Sequence, residues 1–226
     1  MVKRESNVDR VYDALRQMAV DFAFKPDQRL NESALAAQLD TSRTPLREAL
    51  NRLVAEGLLT FQTNRGFFCR SLTPKDILDL YETRVAVECE ALRLSCSRAS
   101  DDEICALEMW LAEAEPLYLS SEDTLELLTL DEEFHLRLAR LSGNNELLRM
   151  LASVNDRIRY IRLIDLKNMC ARSGGDPEAH RKIMRALSAR DAKGADTAMR
   201  AHIEKRREQA TEAVRIAFSQ LYVPMD

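Results

Sequence analysis

The residues best suited to chemistry in this 226-residue chain are its three histidines, His135, His180 and His202. Asp131 precedes His135 by four residues, so on a helix both side chains project from one face. One carboxylate and neutral imidazoles suit Zn or Ni, and also Mn or Fe(II), and these donor types do not distinguish among the ions. An antiparallel pair of helices could bring His180 and His202 opposite the first pair. Alternatively, the three histidines are unrelated and hydrogen-bonded within a helical core.

A second group of residues could read DNA. Arginines four residues apart near a helix N-terminus can enter the major groove together, and each guanidinium can contact guanine O6 and N7. The polar face of one predicted helix carries Arg43, Thr44, Arg47 and Asn51. Arg65 at the tip of a predicted hairpin would meet the DNA backbone or minor groove, and Gly66 lets that hairpin turn tightly. The alternative is a solvated helix face with surface charges.

The elements that must position these side chains are mostly helical. The chain is 46% hydrophobic and 31% charged, with only six glycines and six prolines, which is typical of a globular protein. Apolar residues at 3.6-residue spacing predict a first helix from Val8 to Phe22, a short helix over 31–39 and a third helix that Gly57 ends. Asp40 lies in the tight turn before the third helix, where a left-handed backbone is expected.

Two short strands, 58–62 and 67–70, follow the third helix and are joined by a hairpin turn at 63–66. Three helices followed by a two-stranded wing predict a winged helix-turn-helix. From Pro74 onward the pattern is helical, with short connections that predict an antiparallel bundle of about six helices. These helices are expected at 74–98, 101–119, 123–141, 144–168, 176–190 and 193–219. The predicted domains are therefore residues 1–72 and 73–226.

Charge and cysteine content narrow the class of protein. Residues 1–72 carry 11 Lys/Arg and 9 Asp/Glu, whereas the rest is acidic, which suits a DNA reader that relies on a few placed arginines. No apolar run reaches the length of a membrane span, and the first residues lack a signal-peptide core. The five cysteines show no framework spacing. A cytoplasmic protein with reduced thiols is expected.

The N-terminal third resembles the GntR family of bacterial regulators. The resemblance rests on Leu30–Ala36 (LNESALA), Ser42–Leu50 (SRTPLREAL), Leu53 and Glu56–Leu58, and covers about residues 8–71. It implies that Arg43, Thr44, Arg47 and the Gly66 wing touch an operator. Two positions depart from the family pattern. Asp27 stands where a glycine is usual, and Ser33 stands where a DNA-contacting arginine is frequent.

The remainder resembles the FCD ligand-binding domain of the FadR-like branch of that family, over about residues 75–218. The residues that carry this resemblance are DEEFH at 131–135, SGN at 142–144, HRKI at 180–183, Asp191 and AMRAHI at 198–203. In most of that branch an Asp and three His bind a divalent metal inside the bundle. The resemblance implies this role for Asp131, His135, His180 and His202.

A small carboxylate is the effector that such a centre could bind. Four protein ligands leave one or two positions open on an octahedral ion, and a buried carboxylate also needs a cationic anchor. Arg84 is the first candidate, because Arg84–Glu88 resembles an Arg-x-x-x-Glu motif of the family whose Arg often reaches the effector. The alternative is a buried ion pair with Glu88. Asn155, Arg159 and Arg162 share one helix face and are secondary candidates, or a solvated face.

The sequence thus favours a homodimeric transcriptional regulator, a repressor of a catabolic operon, that binds a short inverted repeat and an organic acid and has no membrane partner. Two alternatives stay open. An Asp/His₃ site could activate a water in a metal-dependent enzyme, or the metal could be purely structural.

Overall fold

The computed structural model describes residues 6–21, 23–71, 73–170, 177–204 and 207. These residues form two compact units, and the boundary between the units in the sequence lies between Thr73 and Pro74. The first unit contains three helices and two strands, and the described part of the second contains six helices. The mostly helical fold that periodicity predicted is confirmed.

Helices α1 (Asn7–Val20), α2 (Glu32–Gln38) and α3 (Arg43–Ala55) build the first unit. Each of the first two begins at a polar cap. The Ser6 hydroxyl accepts a hydrogen bond from the Asp9 backbone N–H, and Asn31 Oδ1 accepts from two backbone N–H groups of α2 at 3.1 Å. Such caps satisfy donors that have no partner within the helix. Phe22, assigned to the first helix by periodicity, lies outside the described residues.

The apolar stripes of α1 and α3 face each other and form the core of this unit. Leu46, Leu50 and Leu53 of α3 are fully buried, as are Val11 and Leu15 of α1. Each buried leucine stabilises the fold by roughly 1.5–3 kcal/mol relative to an exposed one. The opposite face of α3 remains available for a ligand.

The wing is an antiparallel hairpin of β1 (Leu59–Gln62) and β2 (Gly66–Cys69). Its turn passes through Asn64 in the left-handed region, with φ of 61°. The segment before α2 forms an isolated antiparallel bridge with β2, in which Leu30 N–H donates to Phe67 O at 2.8 Å and Cys69 N–H donates to Gln28 O at 2.9 Å. The wing is therefore fixed to the start of α2 by backbone hydrogen bonds.

Asp40 adopts the left-handed conformation expected in the turn between α2 and α3, with φ of 46°. Replacing it with glycine should raise the free energy of unfolding by about 0.5–1 kcal/mol, because glycine adopts positive φ without a Cβ clash. Urea denaturation at unchanged slope measures this. Asp21→Gly is the matched control: Asp21 has φ of −83°, so no gain is expected there. Equal gains at both positions would contradict the argument.

The second unit begins with α4 (Pro74–Arg98) and continues through α5 (Asp101–Ser120), α6 (Thr124–Arg140), α7 (Asn145–Cys170) and α8 (Pro177–Ser188). Residues 192–204 form a further helix, called α9 here. Predicted and observed bounds agree within two residues at the described ends. The rest of the predicted 193–219 helix, apart from residue 207, lies outside the described residues, as do residues 171–176 between α7 and α8.

Helix α4 is central to this unit, since it packs against α6, α7 and α8. A capping box starts α5, in which Ser100 and Glu103 each bond the backbone of the other. Cys69 of the first unit and Cys89 and Cys96 of α4 are buried free thiols. No helix within the described ranges combines the length and apolarity that a membrane crossing requires.

Candidate metal centre and DNA-reading face

The structure brings Asp131, His135, His180 and His202 together in the core of the second unit. Asp131 and His135 lie one turn apart on α6, His180 is on α8 and His202 is on α9. One donor atom from each residue lies within 4.8 Å of the other three. All four side chains are buried. The interpretation as unrelated core histidines does not account for this convergence.

Two of the distances between the donor atoms match those of neighbouring ligands around one ion. His135 Nε2 and His202 Nε2 are 3.2 Å apart, and His180 Nε2 is 3.4 Å from Asp131 Oδ1. Ligands with bonds of about 2.1 Å lie roughly 3.0–3.4 Å apart in octahedral or tetrahedral geometry. His135 Nε2 lies farther from Asp131 Oδ2, at 3.8 Å, and all four donor atoms lie within 4.8 Å of one another.

Glu88 of α4 fixes the orientation of His135. Its Oε2 accepts a hydrogen bond from His135 Nδ1, and because a carboxylate only accepts, Nδ1 carries the proton. Burial lowers the pKa of His135 although Glu88 opposes this, so the ring is neutral at pH 7 and Nε2 keeps its lone pair. Burial raises the pKa of Glu88, but Arg84 and His135 outweigh it and bring the value to about 2. This carboxylate–imidazole contact is the usual support of a metal-binding histidine.

His180 is held by ring contacts rather than by hydrogen bonds. Phe134 stacks on it with ring centroids 4.2 Å apart, and Tyr118 meets it edge-on at 5.6 Å. Neither ring nitrogen of His180 has a hydrogen-bond partner among the described residues; the 3.4 Å approach to Asp131 lacks hydrogen-bond geometry. A buried imidazole without partners is costly unless a ligand satisfies it. The donor set therefore fits a divalent ion.

Two arginines of α7 balance the acidic residues of α6. Arg162 contacts Asp131 Oδ2, and Arg159 contacts Glu132 Oε2. Burial raises the pKa of Asp131, but Arg162 and then His180 hold it well below its ordinary value. Asn155, on the same face of α7, is also buried. The alternative of a solvated face does not hold for these residues, because Asn155 and Arg162 are buried and Arg159 and Arg162 pair with acidic residues of α6.

Arg84 forms the ion pair with Glu88 that was considered as its alternative role. Its Nε donates to Glu88 Oε1 at 2.5 Å, and the side chain is fully buried. Nη1 and Nη2 of Arg84, and both side-chain polar atoms of Asn155, have no hydrogen-bond partner in the part of the chain that the structure describes. Buried donors without acceptors are rare in folded proteins. The pair thus leaves part of the guanidinium available to a ligand.

The polar face of α3 places the other predicted residues on the surface. Arg43, Thr44, Arg47 and Asn51 are all exposed. The first three line an open cleft of about 400 Å³ together with Glu32 and Ser33 of α2. At the wing, the Arg65 guanidinium lies 5.3 Å from the Phe68 ring centroid, and Gly66 has φ of 91°, a conformation that suits glycine.

Several contacts of the two sites have no signal in the sequence. Glu88 was considered only as a partner of Arg84, whereas it also orients His135. Phe134 enters the sequence argument only as part of the DEEFH motif and Tyr118 does not enter it, because no spacing rule connects them to His180 across three helices. Glu32, which forms a salt bridge with Arg47 at 2.6 Å, was quoted only as part of a motif. These residues become visible only once the chain is folded.

Comparison with known proteins identifies both parts of the chain. Residues 79–205 match the sequence model of the FCD domain, and residues 7–69 match that of "Bacterial regulatory proteins, gntR family". The Nta operon transcriptional regulator of Aminobacter aminovorans is 45% identical over 206 residues, which are 91% of this chain and 95% of that protein. The HTH-type transcriptional repressor GlaR of Escherichia coli (strain K12) is 28% identical over 186 residues, 80% of this chain and 84% of that protein.

A solved structure gives the same result. A GntR-type transcriptional regulator from Rhodococcus sp. RHA1 superposes with a TM-score of 0.70 at 28% identity, covering 91% of this chain and 98% of that one. These relatives are transcriptional regulators and not enzymes, so the metalloenzyme alternative is discarded. The exposed arginines of α3, the wing and the buried Asp/His cluster therefore belong to a DNA-binding transcriptional regulator of the GntR family with an FCD domain.

Proposed function

We propose that this regulator represses a catabolic operon and that a small carboxylate, bound at a divalent metal in the FCD unit, controls its affinity for the operator. The observation that carries the proposal is the buried Asp131/His₃ cluster beside polar groups that lack partners within the described residues. The Escherichia coli relative is a repressor and the Aminobacter relative regulates an operon, which supports this direction of control.

The metal is held by Asp131, His135, His180 and His202. A divalent ion supplies open coordination positions and positive charge for a carboxylate oxygen. Zn and Ni suit three imidazoles best, with Mn and Fe(II) as further options. Glu88 keeps His135 in the tautomer that presents Nε2, and Phe134 keeps the His180 ring in place.

The carboxylate is anchored by Arg84, with Asn155 and Arg159 in support. A charged ligand enters a dry site only if buried donors replace its water. Nη1 and Nη2 of Arg84 form a fork that suits the two oxygens of a carboxylate. Asn155 can donate through its amide to a hydroxyl or second carboxyl group. Arg159 carries a positive charge, and Glu132 fixes its position.

Helix α4 is the element through which the signal would leave the site. It carries Arg84 and Glu88, and it begins at Pro74, directly after the DNA-binding unit in the chain. A ligand that moves Arg84 therefore acts on the helix that directly follows the DNA-binding unit in the sequence. A coupling of about 1–3 kcal/mol between the two sites would change operator affinity some 5- to 150-fold.

The DNA-binding state is a homodimer on a short inverted repeat, since one recognition helix reads too few bases for useful selectivity. Arg43, Thr44, Arg47 and Asn51 contact the major groove, while Arg65 and Gly66 bring the wing to the backbone or minor groove. A protein that meets chromosomal DNA in a bacterium works in the cytoplasm. Analytical ultracentrifugation of the protein with an operator duplex selected from a random library measures the number of protomers per duplex. One protomer per inverted repeat would contradict the dimer.

Replacing Arg43 with alanine should weaken binding to the enriched operator by about tenfold or more, because a bidentate contact to guanine contributes about 1–3 kcal/mol of discrimination. Enrichment from a random duplex library with the wild-type chain supplies the operator, and fluorescence anisotropy at fixed salt measures the affinity. Arg16→Ala, on α1, is the matched control for loss of one positive charge. Equal losses in both variants would show that Arg43 acts only through its charge.

The sensing part has its own experiment. The operator complex is titrated with a panel of mono-, di- and hydroxycarboxylates, using both metal-loaded and chelator-stripped protein. The proposal expects at least one acid to change operator affinity in the loaded protein and none to do so in the stripped protein. If stripping leaves the response intact, the metal is structural. If no acid acts on either form, the sensing proposal is wrong.

A further inference from the structure

Glu32, the first residue of α2, connects the recognition helix to the wing within the first unit. Its carboxylate accepts two hydrogen bonds from Arg47, one from Nε at 2.6 Å and one from Nη2 at 3.4 Å. A Cβ placed on Gly66 would lie 3.7 Å from Glu32 Oε1. The same carboxylate therefore lies against two of the positions assigned to operator contact.

The two side chains of the Arg47–Glu32 salt bridge differ in their exposure to solvent. The Arg47 side chain is 60% exposed and that of Glu32 is 22% exposed. Asn31 caps α2 directly before Glu32, and Leu30 is bonded to the wing strand. Glu32 thus sits on a segment held by a backbone hydrogen bond of Leu30 to the wing and by the side-chain cap of Asn31, and it can serve as a fixed support for a longer side chain.

The geometry of the salt bridge decides which donors of Arg47 remain. A guanidinium has a side edge formed by Nε–H and one Nη2–H, and an outer edge formed by parallel N–H groups of Nη1 and Nη2. Glu32 takes the side edge. The outer edge keeps two parallel donors, which is the arrangement that matches O6 and N7 of guanine. A guanidinium held in this way also loses less rotamer freedom when it meets a base.

We propose that Glu32 is a positioning residue for base selection: it holds Arg47 so that its outer edge reads one guanine in each half-site. The inference rests on the proposed operator contact of Arg47. Glu32 also adds a negative charge next to the DNA-reading face, which weakens attraction to phosphates at any sequence. The carboxylate therefore lowers general affinity and raises selectivity.

The experiment compares full-length variants on a library of random duplexes, followed by anisotropy on single duplexes. Glu32→Gln should reduce the preference for guanine at one position of each half-site by about tenfold, and it should bind a scrambled duplex more tightly because one negative charge is lost. Glu32→Asp keeps the charge but shortens the side chain by one methylene. It should lose the same base preference without gaining affinity for the scrambled duplex.

Three further measurements separate positioning from charge and from folding. Glu48→Gln removes the same charge from an exposed position of α3, so it should leave the selected sequence unchanged. In an Arg47→Ala background, Glu32→Gln should cause no further change in base preference, as expected when two residues act as one unit. Thermal unfolding shows whether each variant is folded. Base preference at a single position does not report folding, so the two measurements are independent.

The outcomes distinguish the positioning role of Glu32 from the proposed operator contacts. If the wild-type chain enriches a motif and both Glu32 variants read it with unchanged preference at every position, the positioning role is wrong and the operator contacts stand. If the variants lose affinity for all sequences equally at normal thermal stability, the positioning role is also wrong. If the wild-type chain enriches no motif, the proposed operator contacts fail, and the inference about Glu32 fails with them.

Discussion

Replacing His180 with asparagine should lower the affinity of the chain for the divalent metal proposed above by about 100-fold or more. Loss of a residue that merely supports a ligand already weakens a metal site by about 10- to 100-fold, and His180 is assigned as a ligand itself. Its ring nitrogens have no hydrogen-bond partner within the described residues, so the substitution breaks no hydrogen bond of the metal-free fold. The loss should therefore appear in binding and not in folding.

Two measurements together check this expectation. Isothermal titration with Zn²⁺ or Ni²⁺ gives the affinity, and metal analysis after dialysis against a weak chelator gives the retained ion. Lys182→Gln is the matched control, because Lys182 is an exposed residue of the same helix α8. A His180→Asn protein that retains one ion per chain as tightly as this control would contradict the assignment of His180.

Replacing Arg84 with methionine should lower the free energy of unfolding of the metal-free chain by about 3–5 kcal/mol. The substitution leaves Glu88 buried without its cationic partner, and removing one member of a buried ion pair has a penalty of this size. Glu88 is 1% exposed and Arg84 is fully buried, so solvent screens the pair very little. This is the largest loss of stability that we expect from a single substitution in α4.

The charge of Glu88 can be separated from the lost packing by a second substitution. Arg84→Met combined with Glu88→Gln removes the uncompensated charge, while the amide oxygen of glutamine can still accept from His135 Nδ1. The double variant should therefore be more stable than Arg84→Met alone, with an interaction free energy of about 0.5–3 kcal/mol. A double variant as unstable as the sum of its parts would show that packing, not charge, explains the loss.

Helix α4 offers a matched control for both substitutions. Lys75 forms an i,i+4 pair with Asp79 near the start of the helix, with side chains 80% and 57% exposed. Exposed pairs of this kind contribute about 0–1 kcal/mol, so Lys75→Met should scarcely change the free energy of unfolding. Urea denaturation of the metal-free proteins at one pH measures the whole series.

The parts that sequence predicted well are those that depend on neighbours along the chain. The buried stripe of α3 follows from leucines at positions 46, 50 and 53, and the left-handed turn follows from the residue type at position 40. Asp131 and His135 share a helix face because they are one turn apart. Spacing alone left the histidines of α8 and α9 unassigned, and resemblance to a family was needed to join them to this pair.

The contacts that sequence could not predict join residues far apart in the chain. His135 and Glu88 are 47 residues apart, and Arg47 and Glu32 are 15 apart. Neither pair follows a local sequence pattern, because helix packing decides which acidic side chain contacts which basic side chain. Asn155 and Arg162 show the same effect. Their spacing equally suits a solvated surface, and only the packing of α6 over α7 makes them part of the interior.

Every histidine of the chain lies within the Asp131 cluster. A protein prepared without a histidine tag and labelled with ¹⁵N only in histidine would therefore give imidazole resonances from this centre and from nowhere else. The ring nitrogen signals of three histidines, two for each ring, could be followed through metal loading, acid titration and operator binding without assigning the rest of the spectrum. The scarcity of one amino acid thus makes the interior of the FCD unit observable while the protein is bound to DNA.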